Sequence, residues 1–248
     1  MYTENMKIFI TNDDGFDAPG ILALKRGLEE KGHEVWVCAP LCARSTTSQS
    51  MTFHGDIYIE KHGDRYFSCS GYPADCVIYG INNPLFPSDF DLVISGINRG
   101  YNNSSDIHYS GTCGAAKEAS LMGYKSIAIS AEKNSRVPDP PYQKAVEFLV
   151  LHLEKLVSLA IEDHYININV PFKGNVTDYS SATADCVRVY KREITTETLE
   201  SGKMLCHTRD NGMIERNKSE KCDVSLTEKG IIAVSCVRIA PECIDISI

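Results

Sequence analysis

Two adjacent carboxylates stand where the first apolar run of the chain ends. Residues 7–11 form that run, and after Asn12 come Asp13, Asp14 and Gly15. The carboxyl ends of strands line the ligand crevice of an open parallel sheet, and carboxylate oxygens suit a hard divalent cation. Asn, Asp and Gly also favour turns, and Asp caps helices well. The segment therefore predicts a metal site, with a plain turn as the alternative.

Two more polar loops follow apolar runs. The run 91–96 leads into a polar loop that contains Asn98 and ends at a helix start of small residues near Ser110. The run 34–39 leads into a loop with Arg44 and several hydroxyl side chains, Ser45 and Thr46 among them. Three loops at predicted strand ends thus carry polar chemistry.

The elements that must position these loops alternate as strand and helix. We predict strands at 7–12, 34–39, 92–96, 126–130 and 165–170, and helices at 19–31, 73–81, 111–122 and 141–160. Proline at a helix start and glycine after a helix end support the first βαβ unit. The pattern predicts an α/β fold, a doubly wound, Rossmann-like, mostly parallel sheet.

The pattern changes after Lys173 to short alternating stretches, including 187–190 and 230–237. Asn211-Gly212 is a favourable hairpin dipeptide. We therefore expect a catalytic domain at 1–172 and, at 173–248, a β-hairpin-rich C-terminal appendage that makes oligomer contacts.

Five segments together resemble the SurE (survival protein E) family of metal-dependent 5′-nucleotidases and acid phosphatases. They are 11–20, 39–50, 71–76, 96–112 and 126–130, in the family's order and spacing. The resemblance implies one divalent metal ion per subunit, Mg²⁺ or Mn²⁺, and a metal-activated water as nucleophile. The implied metal ligands are Asp13, Asp14, Ser45 and Asn98, of which Asp13, Asp14 and Asn98 are also the catalytic candidates.

The same resemblance implies how the phosphate is held. Ser110, Gly111 and Thr112 begin a helix, where N–H groups and the positive dipole end attract anions. Ser45 and Thr46 in the hydroxyl-rich loop complete the phosphate site. Thr46 departs from the family pattern, which commonly has glycine there, and threonine restricts close backbone approach.

The implied reaction is hydrolysis of nucleoside 5′-monophosphates to nucleoside and phosphate. Parts of the family also cleave 3′-nucleotides or short polyphosphates. We expect monophosphates to be preferred over triphosphates, because the chain has no Walker-type loop to hold a triphosphate. The expected partner is thus a small nucleotide, and the family resemblance adds a homodimer or homotetramer.

Composition excludes other classes of function. The 248 residues are 43% hydrophobic, enough for one sizeable core, and carry a net charge of −8. This charge argues against a nucleic-acid polymer as ligand, since Lys and Arg supply such affinity. No apolar run approaches the roughly 20 residues of a membrane helix. With ten cysteines, no Cys-x-x-Cys pair and no visible secretion signal, we expect reduced thiols and a cytoplasmic protein.

Two rival functions also place aspartates after a first strand. A phospho-receiver signalling module needs a further acceptor Asp after a middle strand, where this chain has Ser95-Gly96 and Ser130-Ala131. A haloacid-dehalogenase-like phosphatase needs Asp-x-Asp, where this chain has Asn12-Asp13-Asp14. Labelling by acetyl phosphate, as opposed to phosphatase turnover, separates the receiver from either enzyme.

Overall fold

The computed structural model describes residues 5–133 and 140–241. The strands are β1 (Lys7–Thr11), β2 (Glu34–Pro40), β3 (Ile59–Gly63), β4 (Tyr66–Cys69), β5 (Leu92–Arg99), β6 (Ser126–Ala131), β7 (His164–Val170), β8 (Tyr179–Ser181), β9 (Val187–Thr198), β10 (Met204–Arg216) and β11 (Ile232–Arg238). The helices are α1 (Pro19–Glu29), α2 (Pro73–Ile81), α3 (Gly111–Leu121), α4 (Tyr142–Leu159) and α5 (Asp223–Glu228), with a 3₁₀ turn at Ser104–His108.

Nine strands form one sheet in the order β3-β4-β2-β1-β5-β6-β7-β11-β8. From β4 to β7 every neighbouring pair is parallel. Strand β3 pairs with β4 antiparallel and β11 pairs with β7 antiparallel, whereas β8 pairs with β11 parallel. Helices α1 and α4 pack on one face, and α2 and α3 pack on the other. The predicted doubly wound, mostly parallel α/β fold is therefore confirmed.

Strand β1 shows how the sequence builds the two layers. Ile8 and Ile10 point into the core beneath α1 and α4, while Phe9 points into the core beneath α2 and α3. All three side chains are fully buried, and such burial contributes about 1.5–3 kcal/mol each. A strand that is apolar on both faces must lie inside a covered sheet. This central position holds the end of β1, and with it Asp13, at the middle of the carboxyl edge.

Helix α1 approaches the end of β5 very closely. Pro19 begins the helix, a position where its missing N–H costs nothing. A Cβ atom on Gly20 would lie 2.0 Å from the Ile97 carbonyl oxygen, so only glycine fits. This contact fixes the loop after β1 against the strand that carries Asn98.

Several local predictions differ from the structure. Strands β3 and β4 were not predicted, because their short, partly polar sequences lack a clear period. Asn211-Gly212 does not form the hairpin turn, so that prediction is wrong. The turn lies at 199–203, where the Leu199 N–H donates to the Lys203 carbonyl and Gly202 has φ +77°. Asn211-Gly212 instead forms a bulge inside β10, between the pairs Asp210–Arg192 and Met213–Tyr190.

The region after residue 172 divides into two parts. Strands β8 and β11 extend the main sheet, whereas β9 and β10 form a separate two-stranded antiparallel sheet. We refer to residues 187–216 as the hairpin. A domain boundary at residue 172 stays a prediction. Within the described residues, no helix has the length and apolarity needed to span a membrane.

Candidate active site

A cavity of about 710 Å³ opens at the carboxyl ends of β1 and β5. Ligand pockets commonly measure about 300–1,000 Å³, so a nucleotide-sized molecule fits. Its lining comprises Asp13, Asp14, Ser45, Thr46, Asn98, Arg99, Gly100, Tyr101, Asn102, Ser105, Asp106, Tyr109, Ser110, Val187, Arg188, Val189, Tyr190 and Arg192. Six predicted site residues are therefore brought together.

Asp13 is the most deeply placed of the predicted ligands, with 5% of its surface exposed. Its Oδ1 accepts a hydrogen bond of 2.6 Å from the Thr112 hydroxyl, and its backbone carbonyl accepts from the Arg44 N–H at 2.7 Å. Burial raises the pKa of Asp13 to about 6, against the opposing hydrogen bond from Thr112. The negative charge of Asp14 contributes to this increase in the pKa. The site therefore favours a cation that would offset the buried charge.

Asp14 and Asn98 lie on neighbouring strand ends. Asp14 Oδ2 accepts from the Arg99 backbone N–H at 2.9 Å, which ties the loop after β1 to β5. The Asn98 amide nitrogen donates to the Gly100 carbonyl at 2.9 Å, so its Oδ1 faces away as an acceptor. The pairing of β5 with β6 shifts in register between Ser95 and Asn98, which turns Asn98 toward the cavity.

The loop after β2 brings hydroxyl groups to the same cavity. Ser45 and Thr46 both line it. Thr46 has φ +58°, a left-handed conformation that is rare for a β-branched residue. Its hydroxyl donates to the Ser45 carbonyl at 2.7 Å. The backbone thus keeps the shape that glycine favours, although the residue is threonine.

The start of α3 meets the carboxylate of Asp13. Ser110 lines the cavity, and its Oγ caps the helix by accepting from the Cys113 N–H at 3.0 Å. A Cβ atom on Gly111 would lie 2.9 Å from the Asp13 Cβ, so the helix can come this close only with glycine. Thr112 is fully buried and directs its hydroxyl to Asp13. Gly111 and Thr112 do not line the cavity, and phosphate binding by Ser110, Gly111 and Thr112 stays a prediction.

Sequence reasoning missed the second wall of the cavity, which the hairpin supplies. Arg188, Tyr190 and Arg192 from β9 line it, beside Asp106 from the loop before α3. Asp106 lies within a polar loop that the sequence did single out. The only further signal was the alternation of Arg188, Tyr190 and Arg192, which puts three long side chains on one face of a strand.

A second polar cavity, of about 610 Å³, lies at the opposite edge of the sheet. Lys7 and Glu34, at the starts of β1 and β2, line it together with His33 and Arg65. Ligands of open α/β sheets bind at the carboxyl ends of the strands. The cavity beside Asp13 is therefore the candidate active site.

The donor set at this site fits a divalent cation. Asp14 Oδ2 accepts from the Arg99 N–H and the Asn98 amide nitrogen donates to Gly100, so within residues 5–133 and 140–241 Asp14 Oδ1 and Asn98 Oδ1 remain for a ligand. The Asp13 carboxyl accepts from the Thr112 hydroxyl and from backbone N–H groups, and it lines the same cavity as a further oxygen donor. In the described part of the chain, no three His, Cys, Asp or Glu side chains form a metal cluster. A site here would combine two carboxylates with amide and hydroxyl oxygens, which suits Mg²⁺ or Mn²⁺.

Fold and site define a doubly wound α/β protein with an oxygen-rich ligand site at the carboxyl edge of its sheet. Residues 8–196 match the family model described as Survival protein SurE. The chain belongs to the SurE family, as its motifs predicted.

Individual relatives carry the same family name. The chain is 40% identical over 166 residues to 5′-nucleotidase SurE of Leptospira biflexa serovar Patoc, covering 67% of this chain and 66% of that protein. It is 34% identical over 221 residues to 5′-nucleotidase SurE of Clostridium beijerinckii, covering 87% and 83%. The matched part therefore spans slightly less than two thirds of the Leptospira relative.

A solved structure extends the likeness to most of the chain. The SurE protein from Aquifex aeolicus superposes with a TM-score of 0.76 at 28% sequence identity, and the match covers 94% of each chain. The structural likeness therefore covers a larger share of the chain than the Leptospira match does.

Proposed function

We propose that this chain is a metal-dependent phosphomonoesterase that hydrolyses nucleoside 5′-monophosphates to nucleoside and phosphate. The observation that carries the proposal is the meeting of side-chain oxygens from Asp13, Asp14 and Asn98 in one nucleotide-sized cavity. The names of the relatives support the same reaction. Neither β5 nor β6 ends on the acceptor aspartate of a phospho-receiver.

Asp13, Asp14, Ser45 and Asn98 would hold the cation. When bound, a divalent cation supplies positive charge for the phosphoryl oxygens and makes water a better nucleophile near neutral pH. A carboxylate oxygen of Asp13 or Asp14 can take the proton of the attacking water. The proposed metal is Mg²⁺ or Mn²⁺.

The phosphate would lie against Ser45, Thr46 and the start of α3. Ser110 contributes to the cavity wall, and the positive end of the α3 dipole stabilises an anion there. Gly111 and Thr112 support this arrangement by bringing the helix start against Asp13. One terminal phosphate can be held in this way, which favours monophosphates. Cleavage of 3′-nucleotides or short polyphosphates would use the same contacts.

The test is phosphate release from AMP and ATP by protein stripped with EDTA and reloaded with Mg²⁺ or Mn²⁺. We expect no activity without metal, restored activity with it, and a higher kcat/KM for AMP. Asp14→Asn should lower kcat/KM roughly 100-fold or more, because changing a residue that only hydrogen-bonds to a metal ligand already costs about 10–100-fold. Asp56→Asn, at an exposed loop position, is the matched control and should retain activity. Full activity of the stripped protein would refute the metal mechanism.

We further propose a homodimer or homotetramer in the cytoplasm. Exposed apolar side chains on the hairpin, among them Ile194, Met204 and Leu205, support an assembly in which another subunit covers them. Light scattering of the purified protein tests this, and a monomer at micromolar concentration would refute it.

A further inference from the structure

The cavity has one wall that the hydrolytic step does not require. Arg188, Tyr190 and Arg192 occupy alternate positions of β9, so their side chains share one face of the strand. All three line the cavity that contains Asp13 and Asp14. The hairpin therefore presents a cationic and aromatic surface to whatever is attached to the phosphate.

This wall is fixed to the loop that precedes α3. Arg188 forms an ion pair with Asp106, and the Tyr190 hydroxyl donates to Asp106 Oδ1 at 2.6 Å. The Arg188 backbone N–H donates to Ser105 Oγ at 2.9 Å. Both Arg188 and Asp106 side chains are less than one fifth exposed. The Tyr190 ring is thus held by its hydroxyl group, while 43% of the residue stays accessible.

Two groups beside this anchor remain available to a ligand. In the described part of the chain, no hydrogen bond or ion pair engages the Arg192 guanidinium. The Tyr109 ring, also in the cavity wall, is 57% exposed. The bulge at Asn211-Gly212 lies opposite Lys191, between the partners of Tyr190 and Arg192, and bulges re-aim nearby side chains.

Aromatic rings with a free guanidinium suit a flat, electron-rich base. Bases stack on Tyr rings and on the planes of Arg guanidinium groups. A sugar phosphate without a base has no flat ring to stack on Tyr190 or on the Arg192 guanidinium. We propose that Tyr190 and Arg192 form a base-binding wall that makes the site select nucleotides over base-free phosphomonoesters. The inference rests on the proposed function, because it names what binds beside the scissile phosphate.

The experiment compares AMP with ribose 5-phosphate, which lacks only the base. Dissociation constants are measured by calorimetry on the metal-free protein, and kcat/KM for both compounds is measured with metal. We expect the native chain to favour AMP roughly tenfold or more in both measurements. Tyr190→Leu and Arg192→Ala should each remove most of that preference by weakening AMP, with ribose 5-phosphate little changed.

Two control variants distinguish the effect of the Tyr190 ring and the Arg192 side chain from effects on the hairpin itself. Tyr190→Phe keeps the ring but loses the hydrogen bond to Asp106, and should retain the preference for AMP. Lys191→Ala lies on the other face of β9 and should behave as the native chain. Equal affinity of the native chain for both compounds, or an equal loss of both in Tyr190→Leu and Arg192→Ala, would overturn the inference. If the native chain releases phosphate from neither compound, the proposed function is refuted. The dissociation constants are measured without turnover, so they test the base-binding wall separately.

Discussion

Asp13 combines a functional position with an energetic cost to the fold. Its carboxyl group is nearly inaccessible, and its pKa rises from 3.8 to about 6 mainly because burial disfavours the charged form. A shift of this size corresponds to about 3 kcal/mol of destabilisation at pH 7 in the absence of a compensating cation. The charged Asp13 carboxylate, at the centre of the proposed site, therefore lowers the stability of the metal-free protein.

Asp13→Asn should stabilise the metal-free protein at neutral pH. Because the folded pKa lies above the unfolded value, folded Asp13 binds a proton between about pH 4 and 6 where the unfolded chain does not. Its contribution to stability is therefore greatest below pH 4 and falls as the pH rises through 6. Denaturant unfolding in EDTA should show Asp13→Asn more stable than the native chain at pH 7.5, with the difference shrinking at pH 5. A variant less stable than the native chain at pH 7.5 would contradict this account.

Thr46 should be a strained residue that glycine relieves. A non-glycine residue in the left-handed region costs about 1–3 kcal/mol, whereas glycine adds about 0.5–1 kcal/mol of chain entropy. Thr46→Gly should therefore leave stability unchanged or raise it by about 1 kcal/mol. Thr47→Gly is the matched control, because Thr47 also donates a local hydrogen bond but is not among the positive-φ residues. It should lower stability, and an equal loss in both variants would rule out strain at Thr46.

At this scale the sequence predicted which side chains meet, but not how they are held. Asp13, Asp14, Ser45 and Asn98 are recognisable because each follows an apolar strand. The hydrogen bond from Thr112 to Asp13 joins residues 99 positions apart and depends on how closely α3 packs. Such contacts follow from tertiary packing, which no local pattern encodes.

The hairpin is the element whose position matters most for the cavity. Its own strands are largely exposed, so its attachment to the loop before α3 depends on few contacts. Asp106 supplies two of them, to Arg188 and to Tyr190. Elements with few buried contacts open locally at a lower free-energy cost than the core.

Asp106→Ala should loosen the hairpin without unfolding the main sheet. Removing one partner of a largely buried ion pair leaves Arg188, among the described residues, with Glu215 as its remaining carboxylate partner, at 3.5 Å between Arg188 Nε and Glu215 Oε1. Hydrogen exchange of amides in 187–198 and 204–216 should accelerate by about tenfold, with β1 and β5 unchanged. Asp89→Ala, which removes an exposed ion pair with Lys7, is the control. Unchanged exchange in the hairpin would show that Asp106 does not anchor it.

Among elements, helices with a clear start signal were predictable, whereas the long strands of the hairpin were predicted only at 187–190. Helix α2 was predicted with the observed bounds, because Pro73 marks its start and its apolar face is continuous. The hairpin turn was assigned to Asn211-Gly212, but that glycine, at φ +86°, serves a bulge instead. A bulge and a turn both use glycine in this conformation, so local sequence cannot separate them.

For the whole molecule, metal binding should increase the free energy of unfolding. An ion that binds only the folded state adds about 2.7 kcal/mol when its concentration is 100 times its dissociation constant. Mg²⁺ or Mn²⁺ should therefore raise the melting temperature of the stripped protein in a concentration-dependent way. Asp14→Asn should lose this response and Asp56→Asn should keep it. A melting temperature independent of both ions would contradict the metal site without reference to activity.

The two ends of the hairpin are paired with each other, which affects how this fold can diversify. Val187 and Arg216 are paired, so the chain leaves and re-enters the main body at nearly one point. An insertion of this geometry is a portable module, because a short connection could replace it without breaking the nine-stranded sheet. On the proposed function, exchange of the hairpin between relatives would change the wall beside the phosphate and leave Asp13, Asp14 and Asn98 in place. Residues for selectivity and residues for hydrolysis would then be encoded by separate segments of the gene.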